Sequence, residues 1–170
     1  PIEDNIKLTK EVVDYAHSKG VTVEAEIGRI SGTEDNLYDE KYNASLEECI
    51  LLVTKTGIDF LAPALGSVHG LYNGEPNLDF STMKQLKQKL NIPLVLHGGT
   101  GICKSDLKKA MTCGICKINF NTELQIAWTK GIKDFMNSNE NIYDPRKIIS
   151  SGEKNIKQIV REKIRILSNK

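Results

Sequence analysis

The chain has 170 residues, a length that suits one domain or a large piece of one. It is 39% hydrophobic and 26% charged, with a formal net charge of +1, which gives no broad attraction to nucleic acid or to an anionic membrane. No apolar run reaches the ~18–20 residues that cross a bilayer, and the opening Pro1-Ile2-Glu3 reads as a helix start rather than a leader or an initiator methionine. The chain is therefore expected to be a piece of a longer protein.

Residues 3–19 predict an amphipathic helix, with Leu8, Val12 and Ala16 at four-residue steps, Ile6 and Val13 beside them, and Gly20 as the stop. Residues 21–27 alternate and are rich in β-branched side chains, so they predict a strand that sets Glu24 and Glu26 on one face. Residues 28–43 are polar and contain Gly32. A loop of that length tends to be functional or disordered. Ser45-Leu46-Glu47-Glu48 is a capping box that opens a helix to Thr56, stopped by Gly57.

Residues 58–65 form the next strand, apolar except for Asp59, and run into Gly66-Ser67-Val68-His69-Gly70. A helix over 80–90 follows, with Met83, Leu86 and Leu90 inward. Residues 92–96 make a strand ending at His97, and Ser105 is placed to cap a helix over 106–113. A short strand covers 115–120, and Asn121-Thr122-Glu123 opens a helix to about Met136. A polar link then leads past Pro145 to a last amphipathic helix over 152–167.

Strands alternating with helices imply a parallel sheet, and the near-continuous apolar strands imply burial on both faces. A complete eight-fold barrel needs ~250 residues. Four βα units in this length make half a barrel or a small open sheet.

The unusual polar residues fall at strand ends or just after them: Glu26, His69, His97 and Asn119. In parallel α/β folds those ends converge on one face, where sites form. His69 and His97 are two of the three histidines, each followed by glycine. Two imidazoles from neighbouring strands can supply part of an open zinc site; the alternative for each is a histidine hydrogen-bonded in a core. His17, on a helix, is given no catalytic role. The turns His97-Gly98-Gly99-Thr100-Gly101 and Asn119-Phe120-Asn121-Thr122 each offer amides before a helix, which suits phosphate, although Gly and Asn are also ordinary turn residues. Glu26 at a strand end calls for a cation or other partner, unless its strand faces solvent. Glu34 in the long loop could move protons near a metal, or be a solvated loop acid.

None of the four cysteines shows a secreted disulfide spacing, so a reducing cytoplasm is expected. Cys113-Gly114-Ile115-Cys116 has a C-x-x-C spacing, but it sits where a helix ends and a strand begins, the reverse of a redox motif. Both thiols are read as small core residues.

Five stretches together resemble the class II, metal-dependent fructose-bisphosphate aldolases, in the subgroup that also holds tagatose-bisphosphate aldolases. They are Val23-Glu24-Ala25-Glu26-Ile27-Gly28, Gly32-Thr33-Glu34-Asp35, Leu61-Ala62-Pro63-Ala64-Leu65-Gly66-Ser67-Val68-His69-Gly70, Pro93-Leu94-Val95-Leu96-His97-Gly98-Gly99-Thr100-Gly101 and Lys117-Ile118-Asn119-Phe120-Asn121-Thr122-Glu123. The resemblance implies a TIM (β/α)8 barrel of which residues 1–170 supply roughly the last four βα units, as the C-terminal part of a single domain. It implies reversible cleavage of fructose 1,6-bisphosphate, with the tagatose epimer as the alternative substrate.

The resemblance also implies a catalytic zinc on His69 and His97, and a second or alternative cation position at Glu26. Gly70, Gly98, Gly99, Thr100, Asn119, Phe120, Asn121 and Thr122 would hold the dihydroxyacetone phosphate part of the substrate. Glu34 would assist proton transfer from a mobile loop. A cytoplasmic homodimer is the implied assembly. Three departures accompany the resemblance: no Asp-His pair for the acid/base and a third zinc ligand, Asn73 where many relatives have lysine, and Asn121 where they often have aspartate. Two other readings are a non-catalytic barrel fragment and a C-x-x-C redox module. A half barrel alone leaves two open sheet edges and is not expected to be stable.

Overall fold

The computed structural model describes residues 1–30, 32 and 43–168, which fall in two compact units, Pro1–Asn119 and Phe120–Lys170. The first unit alternates helix and strand: α1 (Ile2–His17), β1 (Glu24–Ile27), α2 (Leu46–Thr56), β2 (Phe60–Pro63), α3 (Phe80–Lys89), β3 (Leu94–Leu96), α4 (Lys104–Thr112) and β4 (Ile115–Ile118). All three strand pairings are parallel, and the strand order is β1-β2-β3-β4.

That order separates the two architectures left open by the sequence. A doubly wound open sheet reverses its strand order at a switch point, whereas a barrel adds each strand beside the last. Right-handed crossovers with no reversal put every helix on the same face. Accordingly α1 packs on α2, α2 on α3 and α3 on α4. The unit is thus a run of four βα units of a (β/α)8 barrel.

Local chemistry sets the helix ends. The Ser45 side chain accepts from the Glu48 N–H at 3.2 Å and Glu48 accepts from the Ser45 N–H at 3.1 Å, while Gly57 leaves the helix at φ +74°. Such a cap stabilises by ~1 kcal/mol. Asp79 caps α3 through the Thr82 N–H at 2.9 Å. The cap expected from Ser105 is not made. Helix α4 starts two residues earlier, with Cys103 at the cap position and Ser105 inside the first turn. In α1 the expected row Leu8 and Val12 stays exposed; the buried residue is Val13, flanked by half-buried Ile6 and Ala16.

The core lies on both sides of β2 and β3. Leu61, Ala62, Leu94, Val95 and Leu96 are all buried, as are Leu52, Met83, Leu86, Leu107 and Ala110 from the helices. The strands are shorter than the apolar runs that announced them: past β2 the Ala64 and Leu65 carbonyls accept from the Ala44 and Asp79 N–H groups at 3.0 and 2.9 Å. Cys49 and Cys113 are buried but Cys116 is exposed, which corrects the core reading of the C-x-x-C pair. Alternation along β4 turns Cys116 to the face opposite buried Ile115. All four thiols are free, and burial, its largest cause, pushes the Cys49 thiol up to about 12.

The second unit holds α5 (Thr122–Asn137), α6 (Pro145–Ser151) and α7 (Glu153–Leu167). Helix α6 occupies the stretch read from sequence as a link. Asp144 caps it by accepting the Arg146 N–H at 3.0 Å, and Pro145 sits at its first position. Seven residues are too few for a period to show. Helix α7 lies against α5: the Asn155 side-chain amide donates to the Ala127 carbonyl at 3.1 Å, and the Lys163 Nζ lies 2.8 Å from a Glu123 carboxylate oxygen. Among the described residues no helix is long and apolar enough to cross a membrane.

Candidate metal centre and active site

Strand register places one polar row on a buried sheet. Glu26 pairs with Ala62, and Leu61 pairs with Leu94, so Ala62 shares a face with Val95, which pairs with Lys117. Glu24 lies two residues before Glu26 on that same face. His97 immediately follows β3, and Asn119 immediately follows β4. A short-sighted view of the Glu24/Glu26 alternation is a solvent face; the register instead turns both carboxylates toward the ends of β3 and β4.

The resulting network is continuous. His97 Nδ1 lies 2.7 Å from Glu26 Oε2 and His97 Nε2 lies 3.0 Å from Glu24 Oε1. Lys117 Nζ donates to Glu24 Oε2 at 3.0 Å and to Asn119 Oδ1 at 2.8 Å. Hydrogen bonding to Glu26, and further to Glu24, holds the His97 pKa above its ordinary value against the opposing effect of burial. Burial pushes the Glu24 carboxyl up, but hydrogen bonds from His97 and Lys117 and the lysine's charge outweigh it and hold the group low.

Glu26, His69 and His97 offer ligand atoms that all lie within 4.8 Å of one another. The two imidazole rings are 5.9 Å apart between centroids, with 29° between planes. Two imidazoles and one carboxylate are donors that suit zinc, and a hard ion seeking six or more oxygens would not be served by them. Glu26 is the more open member, its side chain 36% exposed against 17% for His97. The residues present therefore fit a zinc-class ion.

Glycines let the backbones meet here. Gly32 bridges to His69, and a Cβ at Gly32 would stand 2.0 Å from the His69 carbonyl oxygen. Gly98 has φ +67°, and its Cβ would stand 2.1 Å from the Val68 carbonyl oxygen. Close approach therefore requires Gly98, whatever else binds there. The Gly99 N–H donates to the Asn119 carbonyl at 2.9 Å, so the protein itself engages this amide. Gly70 is buried with φ +101°, and Thr100 is also buried.

Of the residues singled out from sequence, the first unit brings together Glu26, His69, His97 and Asn119, with the Gly98-Gly99-Thr100 turn. Phe120, Asn121 and Thr122 open the second unit, where the Asn121 side chain accepts from the Gln125 amide at 3.2 Å and Lys163 Nζ lies 4.9 Å from the Phe120 ring centroid. Glu34 lies outside the described residues. Three members of the site were not singled out as functional: Glu24, Lys117 and Tyr72. The first two carried a signal in their i, i+2 spacing to Glu26 and Asn119. His17 lies at the opposite strand ends, 2.9 Å from Asp59 Oδ2, which also accepts the Val23 N–H at 2.7 Å. The His17 bond, chiefly, holds the Asp59 carboxyl below its usual range.

The family profile described as fructose-bisphosphate aldolase class-II matches residues 1–170. The chain is 51% identical over 166 residues to a protein named fructose-bisphosphate aldolase from Staphylococcus aureus (strain Mu50 / ATCC 700699), covering 97% of this chain and 58% of that protein. It is likewise 51% identical to the fructose-bisphosphate aldolase of Geobacillus stearothermophilus, with the same coverage. Among solved structures, the YdjI aldolase from Escherichia coli K12 is similar with a TM-score of 0.81 and 35% identity, over 99% of this chain and 57% of that one. The chain thus spans just under three-fifths of the length of the relatives it matches.

Proposed function

The chain belongs to the class II fructose-bisphosphate aldolase family, and on that premise we propose that it forms part of a metal-dependent aldolase that reversibly cleaves fructose 1,6-bisphosphate to dihydroxyacetone phosphate and glyceraldehyde 3-phosphate. The observation that carries this reading is the convergence of Glu26 at the end of β1, His97 just after β3 and His69 in the loop that follows β2. Residues 1–170 belong in this reading to one barrel domain of a cytoplasmic homodimer.

His69 and His97 would hold the catalytic zinc, and Glu26 a second or alternative cation position. A zinc ion, when bound, supplies Lewis-acid polarisation of a carbonyl oxygen. To serve as a ligand His97 gives up one of its two carboxylate partners. The nitrogen not used keeps the other, which fixes the ring's orientation and raises its basicity. Lys117 neutralises Glu24 and orients the Asn119 amide, which is assigned to the substrate. Gly70, the Gly98-Gly99-Thr100 turn and the Phe120-Asn121-Thr122 stretch are assigned to the phosphate and neighbouring hydroxyls, and Glu34 to proton transfer. Holding the phosphate fixes the reacting carbons relative to the metal ligands.

A coupled cleavage assay on the full-length protein, with and without exhaustive chelation, tests this. Activity on fructose 1,6-bisphosphate that disappears with the metal and returns with zinc is expected. Activity that survives complete metal removal would overturn the role of His69 and His97. Faster turnover of tagatose 1,6-bisphosphate would overturn the substrate assignment alone.

A further inference from the structure

We infer that Tyr72 is a positioning residue that sets the spacing of the two zinc-ligating histidines by tying their backbones together. The inference rests on the metal reading above and extends it to a residue outside the set assigned to metal or substrate.

The geometry is a single hydroxyl serving two loops. The Val68 N–H donates to the Tyr72 hydroxyl oxygen at 3.2 Å, and the Tyr72 O–H donates to the Gly98 carbonyl at 3.1 Å. Val68 immediately precedes His69, and Gly98 immediately follows His97. The bridge therefore joins the residues next to both histidines, across 26 positions of sequence in its longer arm.

Two further features make the bridge stiff. The Gly98 and Val68 backbones already touch, since a Cβ on Gly98 would meet the Val68 carbonyl oxygen at 2.1 Å. The Tyr72 ring is seated against Gly101, where a Cβ would come within 3.3 Å of Cδ2. Burial pushes the phenol above its usual pKa, so it stays neutral and keeps both its donor and acceptor roles at any ordinary pH. Without the hydroxyl, a part-buried N–H and a part-buried carbonyl lose their shared partner, and the two histidine-bearing segments are free to drift. Partners bonded directly to a ligand's side chain change metal affinity roughly 10- to 100-fold, and a bridge one residue removed from both ligands is expected at the lower end of that range.

The test is zinc affinity of the full-length apoprotein, measured by competition with a chromophoric chelator, for the wild type and Tyr72→Phe. The phenyl ring preserves the packing on Gly101. Zinc binding about 10-fold weaker in Tyr72→Phe, with a thermal midpoint near that of the wild type, is the expected result. Equal zinc affinity in the two proteins would overturn the positioning role and leave the metal reading standing, because a merely structural tyrosine lowers the midpoint without moving the affinity. A wild type that binds no zinc would overturn both. Should Tyr72→Phe fold poorly, amide hydrogen exchange on the wild type decides. Linkage is reciprocal, so a bridge that supports zinc is itself supported by zinc. Zinc is then expected to slow exchange of the Val68 N–H but not of the Asp59 N–H at the other strand end, and an unchanged Val68 rate refutes the proposal.

Discussion

Replacing Gly98 by alanine tests the close approach of the two histidine loops. An added Cβ would lie 2.1 Å from the Val68 carbonyl oxygen, 2.8 Å from its carbon and 3.1 Å from its nitrogen, whereas ordinary contact starts near 3.4 Å. All three atoms are backbone, so the turn must move by more than an ångström. The φ of +67° adds a left-handed cost of roughly 1–2 kcal/mol for a residue with a Cβ. Moving the turn also disrupts the bond from Tyr72, worth about 1 kcal/mol. The sum is about 2–3 kcal/mol before the displaced backbone itself is counted, the upper end of what most single substitutions cost. Gly57→Ala is the control: its φ is +74° but nothing lies within 4 Å of the added atom, so it bears the conformational cost alone. Urea unfolding reads both. With a slope of ~2 kcal/mol per molar, Gly98→Ala should lower the midpoint by at least about 1–1.5 M and Gly57→Ala by about 0.5–1 M. A Gly98→Ala midpoint no lower than that of Gly57→Ala would refute the steric reasoning.

In the capping box, Ser45→Ala should destabilise by ~1 kcal/mol, whereas Ser105→Ala, which caps nothing, should fall within about half of that in the same melts. The raised pKa of His97 predicts opposite pH trends for fold and metal. A group whose folded pKa exceeds its unfolded value stabilises fully below the unfolded value, near 6.5, and loses that contribution as pH rises through the folded value. Chelated protein should therefore lose stability over that rise, and His97→Gln should abolish the trend. Zinc affinity should climb over the same interval as the proton leaves the ring. A metal-free stability that increases with pH there would contradict the Glu24–His97–Glu26 arrangement.

Helices with caps and glycine stops were legible because their signals are local: Ser45 and Glu48 are three residues apart. His97 is legible because an apolar run delivers it at the end of β3, whereas β2 stops at Pro63 and leaves His69 in the loop beyond, bridged to Gly32. Glu24 and Lys117 were not, since an alternating acid reads equally as a solvent face, and the two partners are 93 residues apart until parallel register joins them. The resemblance to a family supplied roles for Glu26 and Asn119 but was silent on Tyr72, whose meaning lies in two backbone groups that no residue pattern reveals. Helix α6 escaped notice by brevity, although Asp144-Pro145 is a start signal. Cys116 is not placed by the sequence, because a small apolar residue on a strand fits either face.

The junction of His17, Asp59 and the Val23 N–H gathers the end of α1 and the beginnings of β1 and β2 at one rim of the sheet, while Glu26, His69 and His97 occupy the other. One rim anchors and the opposite rim is left to chemistry. Loops at the rim of Glu26, His69 and His97 can then diverge with the anchoring rim untouched, and a library that randomises them should retain folded members as long as Asp59 and His17 are spared.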